Sequence, residues 1–234
     1  MPAMQNVVPV LRRWMLVFPL CFLLARPAAA APAVPRPVLY AAIGASESVG
    51  VGANNPARES WVADLARRLP RGSRLLNLGK SGALLSYGVQ SELPAAVAAH
   101  PSLVTVWMAV NDINGRVSPD AYRQQLDTLL GTLQRRTHAA VYVGNVPDLT
   151  IMPLYSSLDK AALMGVIRTY NGIISAAARA HHATVIDIFT QTQRTLPKHP
   201  EYLSGDGFHP STAGYANIAD LWWSVIRSHQ PVAR

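Results

Sequence analysis

The sequence predicts an α/β domain, a three-layer α/β/α sandwich around a central, mostly parallel five-stranded sheet. Three observations carry this. Apolar runs such as VLYAAI (38–43) and LVTVWMAV (103–110) alternate with longer stretches whose apolar residues recur at helical spacing. Strands that are apolar along nearly their whole length are buried on both faces, as in a parallel sheet covered by helices. Half of the 234 residues are hydrophobic and only 15% are charged, enough for one well-filled core and inconsistent with disorder.

The elements follow in order. Residues 38–43 read as the first strand, ending at Gly44. Residues 59–69 place Trp61, Val62, Leu65 and Leu69 at helical spacing. Residues 74–78 (RLLNL) form a second strand and 93–99 a helix. A third strand at 103–110 leads to a helix at 119–135, with Tyr122, Leu126, Leu129, Leu130 and Leu133 on one face. Residues 139–146 are a fourth strand, 158–180 a long helix, 184–188 a fifth strand and 212–226 a closing helix. Right-handed crossovers then put helices on both faces of the sheet. Trp61, Trp107, Trp222 and Trp223 are expected in the core.

Ahead of this domain (38–230), residues 1–30 have the pattern of a secretory signal peptide. Arg12 and Arg13 precede a twelve-residue apolar stretch, and the small residues around Ala30 suit cleavage. The apolar stretch falls short of the about 20 residues that span a bilayer. Residues 31–37 (APAVPRP) read as a linker. The expectation is therefore a secreted or periplasmic protein with no membrane span once the leader is removed. Loss of Arg12, Arg13 and Arg26 with the leader lowers the formal net charge from +8 to +5. The remaining basic residues are scattered, which argues against a nucleic-acid partner. The single cysteine, Cys21, lies in the leader, so the mature chain is left without a disulfide, a thiolate metal ligand or a cysteine nucleophile.

In parallel sheets the ligand crevice lies beyond the carboxyl ends of the strands. The residues there are Ser46 after the first strand, Gly79 and Gly82 after the second, Asn111-Asp112 after the third, and Asp206-Gly-Phe-His209 before the last helix. A serine hydroxyl is a weak nucleophile until a base takes its proton. A histidine can do this near neutral pH, and a carboxylate three residues earlier can orient its ring. Gly79 and Gly82 are both turn glycines, and position alone does not separate them. Gly82 lacks a side chain to block its N–H, and Asn111 offers an amide; both suit an oxyanion. Asp112 is expected to hydrogen-bond within its own loop, and Pro210 to help end its loop and start the last helix at its first turn. Residues 148–164, with Ile151 and Leu154, are a candidate lining for an acyl pocket.

These blocks resemble those of the SGNH (GDSL-like) hydrolases: Ser46 in IGASES, Gly82 in NLGKSGALL, Asn111 in WMAVND, and Asp206 with His209 in DGFHP. The resemblance spans about residues 38–226. It implies the flavodoxin-like SGNH fold and a serine esterase acting through an acyl-enzyme, with small-molecule or lipid esters as substrates and no cofactor or metal. It makes Ser46 the nucleophile, His209 the base and Asp206 its support, with an oxyanion hole formed by the Ser46 and Gly82 N–H groups and Asn111. Two positions depart from the pattern. Ala45 stands where the family has Asp, leaving Glu47 as the nearby carboxylate, and Ala109 stands where it has Gly. Three other readings compete. One is a non-catalytic domain binding carbohydrate or a surface ligand. A metal pair at Asp206 and His209 lacks a third ligand. An α/β-hydrolase needs Gly-x-Ser-x-Gly, which is missing from the sequence.

Overall fold

The computed structural model describes residues 36–229. The leader and most of the linker lie outside them. Strand β1 (Leu39–Gly44) leads into the short helices α1 (Ser46–Val49) and α2 (Pro56–Glu59), then α3 (Trp61–Arg68) and strand β2 (Arg74–Asn77). Helix α4 (Leu85–Tyr87), a π-helical turn (Gly88–Glu92) and α5 (Leu93–Ala99) precede β3 (Leu103–Trp107). Helices α6 (Val110–Asn114) and α7 (Pro119–Arg136) follow, then β4 (Ala140–Gly144), two 3₁₀ turns (Leu149–Ile151, Pro153–Tyr155) and α8 (Lys160–Ala180). Strand β5 (Thr184–Ile186), α9 (Ile188–Thr195), a 3₁₀ turn (Pro200–Tyr202) and α10 (Thr212–His229) complete the fold.

The five strands form one parallel sheet in the order β2-β1-β3-β4-β5. Alternate residues feed two cores. Ala41, Ile43, Val104 and Val106 face the layer of α5, α7 and α8, whereas Tyr40, Ala42 and Trp107 face α3 and α10. In the second core Trp61 and Trp222 stack with centroids 4.3 Å apart, and Trp107 meets Trp61 edge-on at 5.8 Å. Trp223 is only partly buried at its margin.

Three boundaries differ from expectation. Strand β3 stops at Trp107, although Met108, Ala109 and Val110 stay buried. Hydrophobicity here marks core beyond the edge of the sheet, which periodicity cannot separate from strand. Ile188 opens α9 instead of closing β5, because the Asp187 carboxylate accepts the Thr190 N–H and caps a helix there. Helix α8 begins after Asp159, which accepts the N–H groups of Ala161 and Ala162.

The chain leaves β1 toward β2 on one side and returns to β3 on the other. Such a reversal of strand order opens a crevice between the two strand ends, and Ser46 and Asn111 lie there.

Candidate active site

Helix α1 starts at Ser46, immediately beyond β1. Its turn is closed by the left-handed Gly50, whose N–H donates to the Ser46 carbonyl at 2.9 Å. As the first helical residue, Ser46 has no intrahelical acceptor for its own N–H. Its side chain is 3% exposed.

His209 arrives from the other end of the chain on a tight loop. Leu203 and Pro210 pair as an antiparallel bridge, and the Ser204 N–H donates to the His209 carbonyl at 2.8 Å. Pro210 thus closes this loop. It does not start α10, which begins at Thr212 with Ser211 Oγ accepting the Gly214 N–H. His209 Nε2 lies 3.0 Å from Ser46 Oγ, and His209 Nδ1 lies 2.6 Å from Asp206 Oδ2. Two residues 163 positions apart share a proton-transfer distance. The other oxygen, Asp206 Oδ1, accepts from Ser204 Oγ and from the Phe208 and His209 N–H groups. Burial opposes the charged form of Asp206, but these hydrogen bonds, led by that from His209, outweigh it and hold the carboxyl at about 2. It is therefore an anion throughout the neutral range.

Gly82 and Asn111 come together on the opposite side. Gly82 adopts φ +76 in an exposed turn, a conformation costly for any residue with a Cβ. Its N–H donates to no described residue. A Cβ at Gly79 would instead meet Ser48 Cβ at 2.6 Å, so Gly79 is the glycine of close packing and Gly82 the one with an open amide. Asn111 Nδ2 donates to the Ala83 carbonyl at 3.0 Å, which uses one of its two amide hydrogens. Asp112 bonds to its own N–H, as expected of a loop residue, and also reaches well beyond its loop. It is fully buried, and both its oxygens lie within 3.2 Å of the Leu85 nitrogen, 27 residues away. Sequence spacing cannot reveal this contact, because it joins the ends of two different strand loops.

Sequence reasoning missed one buried acid, Glu92, and named Glu47 only as the carboxylate near Ala45. Glu92 is 2% exposed, and its Oε2 accepts the Gly44 N–H at 2.9 Å, just upstream of Ser46. Burial pushes it up to about 7, against the pull of that hydrogen bond. Glu47 is also buried, with Oε2 3.4 Å from Ser46 Oγ. The signal for Glu92 was a lone carboxylate beside apolar Leu93 and Ala96, which reads equally well as a helix start.

A groove of ≈ 730 Å³ runs between α6 and α8, lined by Ile113, Val117, Tyr155, Leu158, Leu163 and Val166. Tyr155 of its lining meets Phe208 edge-on at 5.9 Å, and Phe208 meets the His209 ring at 4.6 Å, so two ring contacts link the wall of the groove to the imidazole. Ile151 and Leu154 are exposed and do not line it.

No curated protein matches the chain. Among solved structures, TesA superposes with a TM-score of 0.66 at 22% identity, covering 81% of this chain and 98% of that one. A lipase/acylhydrolase from Enterococcus faecalis gives 0.65 at 17% identity, with 83% and 98% covered. The acetyl xylan esterase AlAXEase gives 0.64 at 17% identity, with 80% and 98% covered. These likenesses establish the fold. The profile of the GDSL-like Lipase/Acylhydrolase family matches residues 42–216, a span that includes every block described above, and the chain accordingly belongs to that family of SGNH serine hydrolases acting on esters.

Proposed function

We propose that the protein is an exported carboxylic-ester hydrolase that works through an acyl-enzyme on Ser46. The reading is carried by one observation, the 3.0 Å approach of Ser46 Oγ to an imidazole whose other nitrogen is held 2.6 Å from a carboxylate. His209 Nε2 takes the Ser46 proton as Oγ attacks the ester carbonyl. Asp206 fixes the ring tautomer and stabilises the imidazolium. The tetrahedral oxyanion is received by the N–H groups of Ser46 and Gly82 and the free amide hydrogen of Asn111. His209 returns its proton to the departing alcohol, and water then repeats the sequence to release the acid.

The acyl chain lies in the groove between α6 and α8, whose apolar lining suits it. Export rests on the leader pattern at 1–30. Among the described residues no helix is long and apolar enough to cross a membrane.

The test is a panel of p-nitrophenyl esters of increasing chain length with wild type, Ser46→Ala and Leu158→Asp. Ser46→Ala is expected to lose several orders of magnitude in kcat while remaining folded. Leu158→Asp is expected to lose the longer esters selectively. Wild-type turnover in Ser46→Ala would refute the mechanism, and an unchanged chain-length profile in Leu158→Asp would remove the groove assignment. Leader cleavage is checked by the N-terminal mass of the exported protein.

A further inference from the structure

Glu47 follows the nucleophile directly, yet the triad makes no use of it. Its side chain borders two cavities. One, of ≈ 60 Å³, lies beneath Phe208 and Pro210, and the other, of ≈ 10 Å³, lies against Ala45, Ala109 and Asn111. Neither cavity is lined by a lysine or arginine, so no cationic side chain there compensates a charge on Glu47. The titratable groups whose charge is felt between them and Glu47 are His209 on the catalytic loop, Tyr155 on the second 3₁₀ turn and Tyr215 on α10. Asp206 lies behind His209.

The Ser46 hydroxyl carries one proton and has two neighbours able to accept it, His209 Nε2 at 3.0 Å and Glu47 Oε2 at 3.4 Å. An ionised Glu47 competes with His209 for that proton and repels the negative charge that develops on the attacking oxygen. A neutral Glu47 reverses both effects: it donates to Oγ and leaves the serine proton directed at the imidazole. At 3.4 Å the contact is longer than a charge-assisted O–H···O⁻ bond, about 2.5–2.7 Å, and longer than a neutral one, about 2.5–3.0 Å, so the two oxygens draw together when the carboxyl donates.

We propose that Glu47 is an auxiliary acid of the active site, and that Ser46 is a competent nucleophile only while the Glu47 carboxyl holds its proton and points it at Oγ. Burial raises its titration above the ordinary carboxylate range, and its own N–H, the charge of His209 and the Ser46 contact only partly oppose this. Activity therefore follows a bell. The alkaline limb is the ionisation of Glu47. Burial raises Glu92 and Asp112 too, to about 7 and about 6, but they touch the Gly44 and Leu85 N–H groups and not Oγ.

The inference rests on the serine-hydrolase reading, and the experiment separates the two. The rate of Ser46 labelling by a fluorophosphonate is followed by intact mass from about pH 5 to about pH 10. Wild type is expected to rise and then fall about tenfold per pH unit. Glu47→Gln keeps a donor but cannot ionise, and is expected to rise to a plateau. Glu47→Leu is expected to plateau too, at a rate at least about tenfold lower. An alkaline fall that persists in Glu47→Gln, or no fall in wild type, overturns the role of Glu47 and leaves the hydrolase reading intact. A wild type that is never labelled overturns both. Should Glu47→Gln fail to fold, infrared spectra of wild type and of the double variant Glu92→Gln, Asp112→Asn decide, because both other buried acids are then removed. A protonated-carboxyl band that vanishes along the alkaline limb in both proteins supports the proposal, and its absence overturns it.

Discussion

Glu92 offers a stability measurement whose size can be worked out beforehand. The carboxyl is 2% exposed, accepts the Gly44 N–H through Oε2, and has no hydrogen-bond partner for Oε1 among the described residues. Burial moves it from 4.5 to about 7, a displacement worth about 3 kcal/mol between the two protonation states. The folded-state value is the raised one. The stabilisation is therefore complete below 4.5 and is lost as pH climbs through about 7. Glu92→Gln keeps a carbonyl to accept the Gly44 N–H and removes the titration. Wild type and variant are expected to have similar stability at about pH 4, and the variant to gain about 3 kcal/mol relative to wild type by about pH 9. For a domain of this size that is roughly 6–12 °C in Tm. Urea denaturation of both proteins across this range isolates the Glu92 contribution, because Glu47 and Asp112 are common to the two. Parallel stability–pH curves would refute the claim that Glu92 is forced to carry its proton by burial.

Three further outcomes follow from the geometry. Asn111→Ala removes an oxyanion donor and should lower kcat by about 10²–10³ with little change in KM, read by steady-state ester hydrolysis. Trp222→Ala empties the stack on Trp61 and should cost about 3–5 kcal/mol in urea denaturation, while any folded fraction keeps its labelling rate at Ser46. Gly52→Ala places a Cβ at φ +95, 2.6 Å from the Pro210 carbonyl oxygen and 3.0 Å from His209 Cβ. Displacing the imidazole by about 1 Å should cost on the order of 10² in kcat, and normal turnover would show that the catalytic loop yields elsewhere.

What the sequence made legible divides along a physical line. Strands and long helices were readable because each is set by local periodicity: the apolar face of 119–136 or 160–180 repeats whatever lies across from it. Ser46, His209 and Asp206 were readable because the sheet rule says where strand ends gather and the chemistry says which side chains are needed there. The short helices α1 and α6 were not readable as helices, since four or five residues give too few turns for a period to register, and the start of α9 read as the end of the fifth strand. Nor were the partners of Asp112 and Glu92. Both carboxylates accept main-chain N–H groups, Leu85 and Gly44, and every residue except proline has one to offer. Nothing in the identity of Leu85 or Gly44 advertises the bond.

The same distinction explains how the site is held. The triad spans nearly the whole domain, so its 3.0 Å contact depends on how two backbone segments seat against each other. On the Ser46 side the segments are fixed by main-chain groups: the Lys80 N–H on the Gly44 carbonyl, the Glu92 carboxyl on the Gly44 N–H, and the Asp112 carboxyl on the Leu85 N–H. On the His209 side the loop is pinned by the Leu203–Pro210 bridge and by Asp206 Oδ1, which binds two N–H groups of that same loop. Asp206 therefore does two jobs with its two oxygens, orienting the imidazole with one and shaping the loop that carries it with the other. Loop and ring move as a unit, and the position of His209 relative to Ser46 is set where that unit packs on residues 50–52, through the Tyr215 hydroxyl on the Val51 carbonyl and the close approach of Gly52 to Pro210. A side chain beyond hydrogen at position 52 acts on catalysis because it enters the seam between the two halves of the site, without touching any reacting atom.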